Sequence, residues 1–258
     1  MIAPQQSTDR RPGFVAGFAT AVAFLTRVPI GAPAERDWRL AAAAWAFPLV
    51  GAGIGAIAAF AFLVSELLGL GDGPAALLAV LAGICVTGAL HEDGLADTAD
   101  GFFGGRNRDS RLAIMRDSRH GTYGVLAIVL SVALRAAAIA HTGEAIYAGL
   151  ALIAAHAASR ALITAVMRAL APARADGLGA EAGRPSAAPL IAAAAIGVVI
   201  AVAALGPVLG LVAFAVSGTA VAAMAVLARR LVGGYTGDIL GAAQQIAEVV
   251  VLLAATAR

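Results

Sequence analysis

Residues 188–205 read APLIAAAAIGVVIAVAAL, a run with no charged side chain. A helix needs about 20 mostly apolar residues to cross about 30 Å of hydrocarbon, so this run predicts a membrane-spanning helix. Helices are expected because backbone groups in lipid must form their hydrogen bonds within one segment. Six further runs are similar: Leu40–Val64, Pro74–Leu90, Gly121–Ala140, Ala145–Met167, Val208–Ala228 and Ile239–Ala257.

The composition agrees with a membrane protein. Of the 258 residues, 60% are hydrophobic and 13% are charged, whereas a typical soluble domain is about 25% charged. These values argue against a disordered chain, a nucleic-acid-binding protein with a broad basic face and a disulfide-rich scaffold. We therefore predict an all-α polytopic membrane protein, with about seven transmembrane helices in a single integral-membrane domain over residues 1–258.

Three smaller features complete this prediction. The apolar stretch Phe14–Thr26 is too short for a full crossing, which favours a short interfacial or re-entrant helix. Residues 1–13 are expected to form a flexible N-terminus. Cys85 is the only cysteine, and its apolar surroundings in the sequence predict a small core residue.

Arginines are distributed unevenly between the spans. They occur in the segments 27–39, 91–120, 168–187 and 229–238, and none occurs in the connections 65–73, 141–144 and 206–207. With seven spans, the arginine-bearing segments all lie on one side, which the positive-inside rule predicts to be cytoplasmic. Polar chemistry at one membrane face favours an enzyme over a transporter, because a transporter would carry polar groups near the midplane.

The segment 91–101 contains a cluster of carboxylates. Asp93, Asp97 and Asp100 stand at i, i+4 and i+7 and therefore share one face of a helix. These carboxylates repel one another, and Mg²⁺ would neutralise them, with waters and substrate phosphates as further ligands. The outer two lie about 10.5 Å apart along the axis, so one ion cannot take all three without help from another element. A solvated acidic loop is the alternative, and Glu92, on a different face, is expected to be solvated.

Several arginines follow the carboxylates. Guanidinium groups bind phosphate oxygens, so the two segments contain the parts of a pyrophosphate or phosphodiester site; the arginines are Arg106, Arg108, Arg111, Arg116 and Arg119. Basic residues beside membrane helices are also expected from topology alone, and Arg108 and Arg111 fit that interpretation best.

Polar residues also occur within and beside the later spans. Arg135 is predicted to snorkel towards the outer surface. Glu248 falls near mid-membrane, where a carboxylate needs a partner, and Arg160 is a candidate partner in either a functional or a purely structural pair. The glycine-rich turn 233–238 precedes the last span, so its backbone N–H groups could meet an anion or simply cap the helix.

Several motifs resemble those of the cobalamin synthase family. The long ones are His91-x-Asp93-Gly94-Leu95-Ala96-Asp97-Thr98-x-Asp100-Gly101, Ile114-Met115-Arg116-Asp117-Ser118-Arg119-x-Gly121-Thr122-x-Gly124 and Gly233-Gly234-x-Thr236-Gly237-Asp238-x-Leu240-Gly241-Ala242. Shorter ones are Phe24-x-Thr26-Arg27-x-Pro29, Phe47-Pro48-Leu49-x-Gly51 and Gly177-Leu178-Gly179. The resemblance runs in order from about residue 14 to the C-terminus. It departs at Glu92, where the family usually has Leu, and the role of this residue is left open.

The resemblance implies the last assembly step of the cobalamin nucleotide loop. In that step a ribose hydroxyl of α-ribazole, or of its 5′-phosphate, attacks the cobinamide-linked phosphate of adenosylcobinamide-GDP, and GMP leaves. It also implies a location in the bacterial inner membrane with the active site facing the cytoplasm, and Mg²⁺ as cofactor. Asp93, Asp97 and Asp100 are then the proposed metal ligands.

The other site residues follow from the same resemblance. Asp117 is the predicted general base for the ribose hydroxyl, and His91 is the competing candidate. The predicted substrate-binding residues are Arg27, Arg106, Arg116, Ser118, Arg119, Arg160, Thr236, Asp238 and Glu248.

Two other functions are considered. CDP-alcohol phosphotransferases have a signature that begins D-x-x-D-G, which Asp97-Thr98-Ala99-Asp100-Gly101 resembles, although the spacing to Arg106 is longer. A polytopic transporter that uses Glu248 and Arg160 is the third candidate. The expected partners are the two substrates and the lipid bilayer, with no nucleic acid. The choice between α-ribazole and its 5′-phosphate, the number of Mg²⁺ ions and the formation of a homo-oligomer are left open.

Overall fold

The computed structural model describes residues 13–30 and 40–257, and within them every regular element is a helix. In chain order these are α1 (Phe14–Leu25), α2 (Leu40–Ala43), a 3-10 turn (Ala44–Ala46), α3 (Phe47–Leu67), α4 (Asp72–Thr87), α5 (Leu90–Gly104), α6 (Arg108–Ile114), α7 (Thr122–His141), α8 (Ala145–Ala169), α9 (Leu178–Ala182), α10 (Ala187–Leu205), α11 (Pro207–Val232) and α12 (Gly237–Ala255). The predicted flexible N-terminus lies outside the described residues except for Gly13, and so do Arg36 and Arg39.

The all-α polytopic membrane fold is confirmed. In the described part of the chain, six helices are long and apolar enough to cross a membrane: Leu40–Leu67, α7, α8, α10, α11 and α12. The remaining predicted span, over residues 74–90, corresponds to α4 and reaches the first residue of α5. The chain bends by 91° between these two helices, so the pair forms a broken span or a re-entrant loop. Helix α1 has 12 residues and stays too short to cross.

The bend between α4 and α5 has a local cause at Gly88 and Ala89. Gly88 takes a left-handed conformation with φ 64°, and its N–H donates to the Cys85 carbonyl at 3.3 Å. The Ala89 N–H donates to the Ile84 carbonyl at 3.0 Å, which completes the hydrogen-bond pattern of a Schellman helix end. Ala89 is itself left-handed, with φ 58°, a conformation that costs an L-residue about 1–2 kcal/mol. The tertiary contacts of α5 therefore have to hold this bend.

Helix α8 lies at the centre of the bundle. In its apolar window 78% of the residues are buried, compared with 22% for α10. Helix α3 approaches α8 closely because glycines face it: a Cβ on Gly55 would lie 2.7 Å from the Ile153 Cα. Large apolar side chains such as Phe60 and Val129 face outwards on the periphery. Cys85 is also exposed, so the prediction of a core position is wrong, because it lies on the outer side of α4.

Three arginine-bearing segments meet at one end of the bundle, which we call the arginine-rich end. Arg108 in α6 donates to the Val232 carbonyl at 3.0 Å and to the Ala173 carbonyl at 2.6 Å. The Tyr235 N–H donates to the Ala171 carbonyl at 3.0 Å. Segments 105–121, 170–186 and 233–236 therefore form one connected surface, and Arg108 holds parts of it together.

Candidate active site

Helix α5 presents the acidic residues at the arginine-rich end. Asp93 is exposed, Asp97 has 15% of its side chain accessible, and Asp100 is buried. Since all three lie on one regular helix, the predicted common face is present. We call the surface formed by Asp93, Asp97 and Asp100 the acidic face. It runs from solvent into the contact between α5 and α7.

Asp100 has a structural partner at the start of α7. Its carboxylate accepts hydrogen bonds from the Gly121 N–H at 2.6 Å and the Gly124 N–H at 2.9 Å. The first N–H groups of a helix have no partner within the helix, so this carboxylate caps α7 and joins it to α5. A role for Asp100 as a metal ligand stays a prediction.

Helix α12 brings a fourth carboxylate to the acidic face. It can approach α5 closely because Gly94 has no side chain: a Cβ there would lie 2.7 Å from the Asp238 carbonyl oxygen. Thr236 caps α12, and its hydroxyl donates to Asp238 Oδ2 at 3.0 Å. The Asp238 carboxylate is close enough to Asp97 for their charges to interact. The predicted site residues Thr236 and Asp238 therefore lie beside the acidic face.

His120 belongs to the same region but was not selected from the sequence. Its Nδ1 lies 3.9 Å from Asp97 Oδ1, and 42% of its side chain is exposed. The one feature that could have drawn attention to His120 is its position directly before Gly121, whose N–H donates to Asp100.

The carboxylates fit a magnesium ion that is shared with a substrate. Among the described residues, no three His, Cys, Asp or Glu side chains converge into a protein-only metal centre, in agreement with the spacing of the aspartates along α5. Mg²⁺ is usually held by one or two carboxylates together with waters and substrate phosphates. Asp93 and Asp97, one helical turn apart and with Asp238 nearby, provide such a donor set.

The predicted phosphate-binding arginines differ in their contacts. Arg106 is exposed and makes no side-chain hydrogen bond or ion pair with the described part of the chain. Arg116 Nη2 lies 2.6 Å and 2.7 Å from the two carboxylate oxygens of Asp176. Arg119 Nη2 lies 2.6 Å from Asp117 Oδ2. Exposed ion pairs are worth only about 0–1 kcal/mol, so a phosphate could replace either carboxylate at little cost.

Two further predicted residues lie around the same surface. Ser118 is exposed between Arg116 and Arg119. Arg27 is exposed at the break between α4 and α5, where its side chain lies against Gly88 and its N–H donates to the Val86 carbonyl at 2.7 Å.

Arg119 controls the protonation of Asp117. Hydrogen bonds from the Arg119 side chain and backbone hold the pKa of the Asp117 carboxyl at about 2. A carboxylate with such a low pKa is a weak proton acceptor at neutral pH. Its position therefore supports a role in holding Arg119 more than a role as general base.

A buried ionic network lies behind the acidic face. Arg135 Nη1 donates to Glu92 Oε1 at 3.1 Å and to Glu248 Oε1 at 3.0 Å. All three side chains are at most 8% exposed. The predictions that Arg135 snorkels outwards and that Glu92 is solvated are therefore wrong. Each charge has a partner inside the bundle, which is the usual arrangement for ionisable groups at membrane depth.

The predicted pairing of Arg160 with Glu248 is confirmed within this network. Arg160 Nη1 lies 3.6 Å from Glu248 Oε2, and His156 Nδ1 lies closer, at 3.0 Å. Arg160 and Glu248 are 1% and 2% exposed. The structure thus separates these two predicted substrate-binding residues from the exposed arginines, and their role in substrate binding stays a prediction.

Two adjoining cavities open beside the acidic face. An apolar cavity of about 130 Å³ lies between α1, α3, α5, α8 and α12. Its lining includes Phe24, Phe47, His91, Asp93, Ile163 and Met167. A polar cavity of about 120 Å³ is lined in part by Arg174, Asp176, Tyr235 and Thr236. Because Gly179, Gly237 and Asp238 line both cavities, one molecule could occupy them together.

Comparison with known proteins decides the family. A family model described as cobalamin-5-phosphate synthase matches residues 17–256. The chain belongs to this family. No solved structure matches it.

Curated relatives of the cobalamin-5-phosphate synthase family support this assignment over the whole chain. A protein of Bradyrhizobium diazoefficiens is 47% identical over 255 residues, which is 97% of this chain and 96% of the relative. One from Mesorhizobium japonicum is 45% identical over 92% of both chains. One from Azorhizobium caulinodans is 44% identical over 95% of this chain and 96% of the relative. All three are named adenosylcobinamide-GDP ribazoletransferase.

In this cobalamin-5-phosphate synthase family member, the three long motifs fall on different elements that meet at one place. Residues 91–101 lie on α5, residues 114–124 connect α6 to α7, and residues 233–242 form the start of α12. The contacts of Asp100 with Gly121 and of Gly94 with Asp238 join them. Most of the predicted site residues therefore share one region, although they are far apart in sequence.

Proposed function

We propose that the chain is an adenosylcobinamide-GDP ribazoletransferase. It joins α-ribazole or its 5′-phosphate to adenosylcobinamide-GDP and releases GMP, as the last step in assembling the cobalamin nucleotide loop. The observation that carries this proposal is that the acidic face contacts the segment 114–124, which carries Arg116 and Arg119, at the arginine-rich end of the bundle, in a chain of this family. Carboxylates for a metal ion and guanidinium groups for phosphates are what the transfer of a phosphoryl group from a diphosphate to an alcohol needs.

The reaction exchanges a phosphoanhydride bond for a phosphodiester bond. The ribose oxygen forms a bond to the cobinamide-linked phosphorus, the bond from that phosphorus to the GMP oxygen breaks, and the hydroxyl proton passes to a base. His91 is 3% exposed, lines the apolar cavity next to Asp93, and makes no side-chain hydrogen bond to the described residues. We therefore assign the base to His91 and give Asp117 the task of holding Arg119.

The arginines act on the leaving side of the reaction. Negative charge grows on the departing GMP phosphate, and Arg106, Arg116 and Arg119 would stabilise it. Mg²⁺, when bound, neutralises phosphate oxygens, and Asp93 and Asp97 would hold it with Asp238 beside them.

The proposed orientation of the protein in the membrane is based on the distribution of its arginines. Because arginine-bearing segments favour the cytoplasmic side, the arginine-rich end would face the cytoplasm in the inner membrane, where charged nucleotide substrates are available.

The test is GMP release by the purified protein in nanodiscs. The mixture contains adenosylcobinamide-GDP and α-ribazole 5′-phosphate, and each is also omitted in turn. We expect release that needs both substrates, stops when EDTA removes the metal and returns when Mg²⁺ is added. Folded protein that releases no GMP would refute the proposal, and CDP-alcohols and then proteoliposome flux would be measured with the same preparation.

A further inference from the structure

The two adjoining cavities match the two chemically different parts of a phosphorylated ribazole. Ribazole has a flat methylated benzimidazole on a ribose, so its 5′-phosphate joins an apolar ring system to a charged sugar. The apolar cavity is walled by Phe47, Ile163 and Met167, and the polar cavity contains Arg174. Their shared lining at Asp238 places a polar group where the sugar of such a molecule would lie.

We infer that the base of ribazole binds in the apolar cavity and that Arg174 binds its 5′-phosphate in the polar cavity. This inference rests on the proposed function and adds the location of one substrate and the residue that recognises it. Arg174 was not among the residues selected from the sequence, and neither were Ile163 and Met167 of the cavity wall.

The apolar cavity suits a small planar ring system. A cavity of roughly 150 Å³ lined by aliphatic and aromatic side chains holds a benzene ring. The cavity here is about 130 Å³ and Asp93 of the acidic face is part of its lining. It is therefore close in size to a site for one aromatic ring of the base, and it is too small for a corrin ring. Phe47 and Met167 are fully buried, so the wall is formed by rigid parts of α3 and α8.

His91 points to the same occupant. It is 3% exposed, lines the apolar cavity, and lacks a side-chain hydrogen bond to any residue that the structure describes. An imidazole that lines a cavity and bonds to no other side chain is available to a ligand in that cavity. A sugar hydroxyl at the mouth of the cavity would be such a ligand group, and this is also where the attacking hydroxyl has to be.

Arg174 is suited to recognising a phosphate. Its Nη2 lies 3.0 Å from Asp238 Oδ2, and only 17% of its side chain is exposed. A phosphate would replace Asp238 as its partner, which exchanges one charge-assisted interaction for another. Asp176 also lines this cavity but is already paired with Arg116, at 2.6 Å. Arg174 is therefore the guanidinium in this cavity that an incoming anion could bind, in exchange for its contact with Asp238.

Two substrates that differ only in the phosphate provide the test. KM and kcat are measured for α-ribazole and for α-ribazole 5′-phosphate with wild type, Arg174→Leu and the control Arg184→Leu, whose arginine lies outside both cavities. We expect Arg174→Leu to raise KM for the 5′-phosphate by about 10- to 100-fold, the range of a lost charged hydrogen bond. KM for α-ribazole and the kinetics of the control should stay near wild type. An equal effect on both ribazoles, or no effect, would overturn the assignment of Arg174.

The apolar cavity is tested by filling it. Ile163→Phe adds volume inside the cavity, and Leu162→Phe adds the same volume to the neighbouring residue of α8, which faces α11 near Gly218 instead. Only Ile163→Phe should raise KM for both ribazoles, with KM for adenosylcobinamide-GDP unchanged. If KM for adenosylcobinamide-GDP rises instead, the cavity holds the other substrate and the inference is wrong. Thermal unfolding and gel filtration establish that each variant is folded.

Equilibrium dialysis separates this inference from the proposed function. Binding of α-ribazole 5′-phosphate is measured without adenosylcobinamide-GDP, so no turnover is needed. If wild type binds α-ribazole 5′-phosphate but releases no GMP, and Arg174→Leu loses this binding, the site is supported and the transferase is refuted. GMP release with unchanged ribazole binding in Arg174→Leu would support the transferase and refute the site.

Discussion

Asp93, Asp97 and Asp100 share a helical face but have different surroundings. Asp93 is open to solvent, Asp100 is occupied with two N–H groups of α7, and Asp97 lies between them with His120 and Asp238 nearby. Asp97 thus has three other carboxylates close to it, Asp93, Asp100 and Asp238. Unlike Asp100, it accepts no hydrogen bond that holds two helices together. It is the residue on which the metal argument can be tested most directly.

Replacing Asp97 by Asn should abolish turnover and leave the fold intact. The change removes one negative charge at nearly constant shape, and we expect GMP release to fall by at least about 100-fold, the scale on which preorganised charged groups act. Asp109→Asn is the matched control, because Asp109 is an exposed acid on α6 with 92% of its side chain accessible. Turnover by folded Asp97→Asn close to that of Asp109→Asn would contradict the metal assignment.

Asp117 makes a prediction about pH. Its pKa is lowered from 3.8 to about 2 by Arg119, so the pair is complete above pH about 4 and is lost only as the pH falls through about 2. Asp117 therefore stays ionised through the neutral range. We expect Asp117→Asn to leave the shape of the kcat/KM profile between about pH 5 and 9 unchanged. Disappearance of the acidic limb in this variant would restore Asp117 as the general base.

Among the helices, the buried ionic network determines where α5 sits. Glu92 lies one residue before Asp93 but faces inwards, where it meets Arg135 on α7 and Gln245 on α12. The same helix thus presents carboxylates to solvent on one side and anchors itself through a carboxylate on the other. This anchoring offsets the free-energy cost of the left-handed conformation at Ala89.

Removing Arg135 should destabilise the bundle strongly. Arg135→Met leaves Glu92 and Glu248 buried without their shared cation, and breaking such a group typically costs about 3–5 kcal/mol. Thermal unfolding in detergent measures the loss, with Leu134→Met as control because Leu134 is exposed on the outer side of α7. Glu92→Gln should cost less, since Glu248 remains to pair with Arg135. Equal midpoints for Arg135→Met and Leu134→Met would show that the network contributes nothing to stability.

The sequence predicted the helices well and the orientation of their polar residues less well. Spans such as 188–205 follow from hydropathy, and the spacing of Asp93, Asp97 and Asp100 gives their common face. Arg135 and Glu92 were misplaced because a single sequence shows the depth of a residue but not the direction from which a partner on another helix approaches. For the same reason, Arg174 could not be distinguished from an arginine that serves topology alone.

At the scale of the whole molecule, the arginine-rich end and the opposite end should lie on different sides of the membrane. In a Cys85→Ser background, Asp109→Cys marks the first and Val208→Cys, at the start of α11, marks the second; both positions are exposed. We expect an impermeant maleimide to label position 208 in spheroplasts and position 109 only after lysis. The reverse pattern would place the candidate active site outside the cytoplasm.

The break between α4 and α5 also bears on how the protein is made. Glu92 depends on Arg135, 43 positions later, and on Gln245, 153 positions later. During synthesis α5 leaves the ribosome long before these partners exist, and a helix with four carboxylates has no reason to enter lipid by itself. The acidic helix therefore reaches its final place only when the last helix has been inserted. A chain that stalls before α12 would contain every aspartate of the acidic face and still have no active site.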